Sequence, residues 1–116
     1  MDHKKTKLLF IIYFIFCIDL ASDPDLLKTP SGFQIAIYAK NINSPRQITE
    51  GSKYIFTASG PEGEIYALLD QNNDNVVDIV RTIASGLNNS RGVTYKDKNL
   101  YFAEVDKVWV IKNIEQ

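Results

Sequence analysis

Sliding the chain along itself by 45 positions sets Ala39 on Ala84, Ile42 on Leu87, Asn43 on Asn88, Arg46 on Arg91 and Ile48 on Val93. The match continues with Thr49 on Thr94, Lys53 on Lys98, Ile55 on Leu100 and Ala58 on Ala103. After the "GPEGE" stretch the second copy is two residues shorter, so Ile65 meets Val108 and Tyr66 meets Trp109. A fixed period of this size marks a repeat architecture, in which one supersecondary unit buries its apolar surface against the next copy.

Which repeat it is depends on the local structure within a period. The runs "FQIAIYA", "YIFTAS", "EIYALL", "VDIVRTIA", "NLYFAE" and "KVWVIK" are rich in β-branched and aromatic residues. Clusters of Gly, Pro, Asn and Asp separate them, which is strand and turn chemistry. No stretch after residue 28 carries a 3.6-residue apolar period. Four strands in a period of about 45 residues is the count for one blade of a β-propeller. "YIFTA" and "IYALL" are apolar on both faces, as a blade between two neighbours requires.

The fold class expected is therefore all-β, a partial β-propeller of roughly one and a half to two four-stranded blades. From the channel outward, the first blade reads 46–50, 53–59, 63–69 and 77–84, and the second reads 91–95, 99–104 and 107–112 with its outer strand missing. Residues 33–39 align with the outer strand 78–84 and read as an outer strand whose own blade is absent, so the repeat modules run 33–77 and 78–116. Such a piece leaves flat apolar faces and sheet edges open. The expectation is the N-terminal fragment of a longer propeller, or a chain that assembles with missing blades or other chains.

The N-terminus has a different character. Lys4, Lys5 and Lys7 precede "LLFIIYFIFCI" at 8–18, followed by Asp19 and then Ala21 and Ser22. A basic n-region, an apolar core of this length and small residues after it predict a secretory signal peptide over 1–22, with 23–32 as a linker. The run is short against the about 20 apolar residues of a bilayer span, so an uncleaved anchor is the lesser alternative. Phe16 is too large for the residue before a lipidated cysteine at Cys17. Cleavage would remove Cys17 and His3, each the sole residue of its type, and with them thiolate chemistry, imidazole-based triads and zinc sites. The expected location is periplasmic or extracellular. With 13 basic against 14 acidic side chains and no basic cluster beyond the N-terminus, nothing points to nucleic acid.

The stretches "PSGFQIAIYAKNINSPRQIT", "IFTASGPEGEIYALLDQNNDNVVDIVRTIASGLNNSRGVTY" and "LYFAEVDKVWVI" resemble the opening of the glucose/sorbosone dehydrogenase family, over residues 30–114. Pro30-x-Gly32-Phe33, Arg46, Gly63-x-x-Tyr66-Ala67-x-x-Asp70 and Leu100-Tyr101-x-Ala103-Glu104 carry most of the likeness, while Ser90-Arg91-Gly92 departs from the family's Pro-x-Gly. The resemblance implies a six-bladed propeller that binds pyrroloquinoline quinone (PQQ) and oxidises a sugar or alcohol, hydride passing to the quinone. The family's catalytic histidine lies on a later blade and no residue here aligns with it. The resemblance therefore implies an oxidoreductase portion without catalysis of its own. A secreted propeller that binds or scaffolds without chemistry, and a gene remnant, are the alternatives.

Arg46 and Arg91 begin innermost strands near the expected channel mouth, where guanidinium groups could hold a quinone carboxylate bidentately, or else pair with carboxylates of neighbouring blades. Glu104 lies near the same end, and the three are the candidate cofactor-binding residues. Asp70, Asn72, Asp74 and Asp78 place oxygen ligands at positions one, three, five and nine of a loop whose twelfth residue is Arg81. An EF-hand needs a bidentate Glu there, so the loop is either a shorter structural calcium site or an Asx-rich turn. "NNS" at 88–90 is a formal glycosylation triplet, and "GPEG" at 60–63 is a turn without phosphate-loop spacing.

Overall fold

The computed structural model describes residues 26–116. The predicted signal peptide at 1–22 lies outside the described residues. The described residues fall into two units, 26–34 and Ile35–Gln116. Within the first, Phe33 N–H donates to the Pro30 carbonyl and Thr29 Oγ1 donates to the Phe33 carbonyl, closing a turn in which Gly32 takes φ 89°.

The second unit is all-β. Its strands are β1 (Pro45–Glu50), β2 (Ile55–Ser59), β3 (Glu64–Leu69), β4 (Ile79–Ala84), β5 (Gly92–Lys96), β6 (Asn99–Ala103) and β7 (Val108–Ile111). They form two antiparallel meanders, a four-stranded sheet in the order β1-β2-β3-β4 and a three-stranded sheet in the order β5-β6-β7. Among the described residues no helix is long and apolar enough to cross a membrane.

Local chemistry sets the turns. Between β2 and β3, Gly63 N–H closes on the Gly60 carbonyl at 3.1 Å around Pro61. Between β5 and β6 only Asp97 and Lys98 intervene, both left-handed at φ 51° and 65°, the backbone of a type I′ hairpin whose twist matches its strands. The β3–β4 connection is the Asp/Asn loop, where Asn73 and Asn75 take the left-handed conformation that asparagine tolerates best after glycine.

The core lies between the sheets. Phe56, Ala58, Ile65 and Ala67 of the first sheet meet Val93, Leu100 and Phe102 of the second, with Tyr54, Ile83, Leu87, Tyr95 and Ile111 at its edge. β2 and β3 are buried almost throughout, on both faces. The face of the first sheet away from this core, which carries Thr57 and Leu68, is flanked by Ile37, Tyr38, Ala39 and Ile42. Two side chains of β1 reach across to the backbone of β5: Gln47 Oε1 accepts from Val93 N–H at 3.1 Å and Thr49 Oγ1 from Tyr95 N–H at 3.2 Å. Both contacts step forward together, so β1 and β5 run parallel.

Residues 33–39 do not form the expected outer strand. A strand exists through its ladder. Within residues 35–39 the Tyr38 carbonyl accepts from Val77 N–H at 2.9 Å, a single rung from a loop rather than a paired edge. The strands expected at 53–59 and 77–84 also start two residues late. The N–H groups of Lys53 and Tyr54 turn to a carboxylate instead of the ladder, and that of Val77 to Tyr38.

Two substitutions test this packing. Leu100 is fully buried in the core, so Leu100→Ala should lower unfolding free energy by about 3–5 kcal/mol in urea titration. Gly63 takes φ 66°, and a Cβ there would lie 1.9 Å from the Leu87 carbonyl oxygen of the loop joining the sheets. Gly63→Ala should therefore destabilise by at least about 2 kcal/mol, well beyond a surface change.

Candidate functional site

Arg46 occupies a β-bulge: Pro45 pairs with Ser59 and Gln47 with Ala58, which leaves Arg46 outside the ladder. A bulge re-aims a side chain, and here the arginine runs across Gly60, where an added Cβ would lie 2.7 Å from Nε. Arg91 immediately precedes β5 and donates its N–H to the Ala103 carbonyl at 3.1 Å. Because β1 and β5 run parallel, the two arginines stand at the same end of the paired sheets, and both residues are exposed. Among the described residues the ion pairs are made by Lys107, with Glu104 and Asp106, and neither arginine takes part in one.

Glu104 is differently placed. Its side chain is only 8% exposed. Oε2 accepts from Asn88 N–H at 2.7 Å, and Oε1 accepts from Trp109 Nε1 at 3.2 Å and lies 3.4 Å from Lys107 Nζ. The Asn88 amide, together with Trp109 and Lys107, holds its carboxyl below the usual carboxylate range. A carboxylate so engaged ties the inter-sheet loop to the β6–β7 hairpin.

The acids at 70–78 also bind their own backbone. Asp70 accepts from the N–H groups of Asp74 and Asn75, Asp74 from that of Val76, Asn72 from that of Asp74, and Asp78 from that of Gln71. The bonds from Asn72 and Asp74 are Asx turns, and with the longer-range ones from Asp70 and Asp78 they order the loop without an ion. Among the described residues no group of three or more His, Cys, Asp or Glu side chains converges as metal ligands.

Residues that the sequence reading did not single out carry as much of the geometry. Glu115, near the C-terminus, accepts from the N–H groups of Ser52, Lys53 and Tyr54 at 2.7, 2.8 and 2.9 Å. Partial burial alone would raise its pKa, but these donors and Tyr95 outweigh it and lower the value from 4.5 to about 2. Ser90, fully buried, donates to the Ser59 carbonyl at 2.6 Å. Tyr66 donates to Glu64, and that hydrogen bond raises its phenol pKa. No local pattern flags Glu115: its three backbone donors lie more than 60 residues away, in a turn that looks ordinary.

No family model matches the chain, and no solved structure matches it. A protein of Borreliella burgdorferi, described only as uncharacterized, is 32% identical over 114 residues, or 95% of this chain. The match covers 28% of that relative, so the chain spans little more than a quarter of its length.

Two measurements test these assignments. Glu115 ionises more readily in the folded chain than in the unfolded one, so its stabilisation is complete above pH 4.5 and is lost as pH falls from 4.5 toward 2. Glu115→Gln should cost roughly 1 kcal/mol at pH 7, after allowance for solvent screening, and flatten the pH dependence of unfolding across that window. Second, millimolar calcium should leave the melting temperature unchanged, while Asp70→Ala should lower stability by about 1 kcal/mol equally with and without calcium.

Proposed function

We propose that residues 33–116 are the N-terminal portion of an exported β-propeller of the glucose/sorbosone dehydrogenase kind, contributing two adjacent sectors and inactive on its own. The observation that carries this reading is the agreement between the 45-residue sequence repeat and the two stacked meanders, with parallel inner strands and arginines at matching places. One sector holds four strands and the next holds three. The family likeness of residues 30–114 supplies the chemistry, and the predicted signal peptide supplies the exported, periplasmic or extracellular location.

In this reading Arg46 and Arg91 face the channel. Two exposed guanidinium groups at one end suit a polycarboxylate such as PQQ, which they would grip by charge-assisted hydrogen bonds. PQQ bound there would accept the hydride of an aldose or alcohol. The residues present fit the holding of such an anion, while the catalytic histidine that the family resemblance implies has no counterpart among residues 30–114. Glu104, already engaged by Asn88, Trp109 and Lys107, serves the scaffold.

A second reading, a secreted propeller module that binds or scaffolds without catalysis, is favoured by the missing counterpart to the family's catalytic histidine. Titration of PQQ into the purified chain separates the two. The dehydrogenase reading expects measurable binding that Arg46→Ala and Arg91→Ala each weaken about tenfold, with no dye-linked aldose oxidation by the chain alone. No PQQ binding at millimolar concentration supports the non-catalytic module, and turnover by the chain alone overturns the assignment of inactivity.

A further inference from the structure

Arg46 follows a corner of unusual backbone. Ser44 takes φ 41°, a left-handed conformation uncommon for serine, and such conformations persist where the surroundings hold them. Here the Ser44 carbonyl accepts from Gly60 N–H at 3.3 Å, and the Ser44 hydroxyl donates to Glu62 Oε1 at 3.1 Å. The other oxygen of Glu62 accepts from Oγ of the fully buried Ser59 at 3.3 Å. Ser59 pairs with both Pro45 and Glu64, so the turn at 60–63 lies at the end of the sheet where β1 begins. Glu62 therefore ties that turn to the corner from which the bulge at Arg46 starts.

The second repeat builds the same corner from other residues. Asn89, the counterpart of Ser44, takes φ 53° two residues before Arg91. Val105 stands two residues after Ala103, as Gly60 does after Ala58, and donates its N–H to the Asn88 carbonyl at 3.1 Å. Glu104, from the turn between β6 and β7, accepts from Asn88 N–H at 2.7 Å. In each repeat a glutamate of the next hairpin turn grips the left-handed corner ahead of the arginine, through a hydroxyl in one and an amide in the other. Neither turn needs that grip to close: Gly63 N–H already meets the Gly60 carbonyl, and Glu104 N–H the Lys107 carbonyl.

Charge separates this arrangement from an ion pair. The Arg46 side chain runs across Gly60, two residues from Glu62, yet the carboxylate turns to two serine hydroxyls and forms no ion pair with it. The arginine stem is thus set against a residue with no side chain, and the guanidinium charge stays uncommitted.

We propose that Glu62 is the positioning residue of Arg46: through Ser44 it fixes the bulge that aims the guanidinium at the end of the sheets, without neutralising it. This rests on the reading of Arg46 as a residue that holds an anionic ligand, and adds to it the group that sets its direction. Glu62 itself touches no ligand. Its effect on binding then has a sign opposite to its charge. An acid close to an anion repels it, so a glutamate that was only a neighbouring charge would tighten binding when removed. A positioning glutamate weakens binding when removed.

The test titrates PQQ into the purified full chain and its variants, and follows the Arg46 Nε–Hε resonance by nitrogen-15 NMR. Glu62→Ala is expected to weaken binding about fivefold and to move that resonance, with no further loss in an Arg46→Ala background. Glu62→Gln, which keeps an acceptor for the Ser44 hydroxyl, should retain most of the affinity and leave the resonance in place. Ser44→Ala should weaken binding as Glu62→Ala does, and carries the same expectation should Glu62→Ala fail to fold. Unchanged or tighter binding in Glu62→Ala overturns the proposal, as does a loss of equal size with and without Arg46. If the unaltered chain binds no PQQ at millimolar concentration, the dehydrogenase reading fails and the resonance alone decides: movement in Glu62→Ala upholds the positioning of Arg46, and a stationary signal overturns it.

Discussion

Everything in the second unit hangs on one contact, the apolar face of β2 and β3 against the face of β5 and β6. Phe56, Ile65 and Leu100 are fully buried there. At about 25 cal/mol per Å² of apolar surface, side chains of this size contribute roughly 1.5–3 kcal/mol each, the largest favourable contributions available to a unit of some eighty residues. Neither sheet has another way to bury that face. Gln47 and Thr49 convert a non-directional contact into a fixed register, because each satisfies a β5 backbone N–H that would otherwise face the sheet-to-sheet seam. Slip β5 by one residue and both donors lose their partners while Val93 turns out of the core.

Polar pins at the margin then hold the sheets against splaying. Ser90 binds the Ser59 carbonyl from the inter-sheet loop, and Leu87 of the same loop donates its N–H to the Gly63 carbonyl at 3.0 Å. Gly63 has no side chain where Leu87 passes, which is why that approach is available at all. At the opposite margin Glu115 fills the concavity made by three successive N–H groups of the β1–β2 turn, a short anion nest. The C-terminal residues thereby become part of the first sheet's cap although they follow the second sheet in sequence.

Strand type and order were legible because they follow from local and periodic signals. β2, β3, β5 and β6 carry β-branched and aromatic runs between turn residues, and the internal repeat gave each a counterpart with which to check its limits. Residues 33–39 show what such signals leave out. Their composition is that of β4, but a ladder needs a partner edge, and the described residues offer Tyr38 only one rung. Glu115 and Ser90 were illegible for another reason. Each acts on backbone groups brought near by the tertiary fold, and neither has a spacing, charge pattern or turn motif that a reading along the chain would register. The loop at 70–78 lay between: its Asx content predicts both a turn and a calcium loop, and only the direction of its N–H groups, toward Asp70, Asp74 and Asp78, favours the turn.

The candidate site divides along the same physical line. Tyr66 and Trp109 are repeat counterparts, and each aromatic hydrogen-bonds a carboxylate, yet the acids differ: Glu64 on the same strand in one case, Glu104 at the end of the preceding strand in the other. What the two repeats share there is the need of a polar aromatic tip for an acceptor. Different residues meet that need, so Glu104 is accounted for by the scaffold. Arg46 and Arg91 show the opposite pattern. The residue type and the place in the repeat are both kept, one arginine is lifted from its ladder by a bulge, and no ion pair among the described residues holds either. In the proposed propeller, the end of the sheets where they stand is the one at which an anionic ligand would be met.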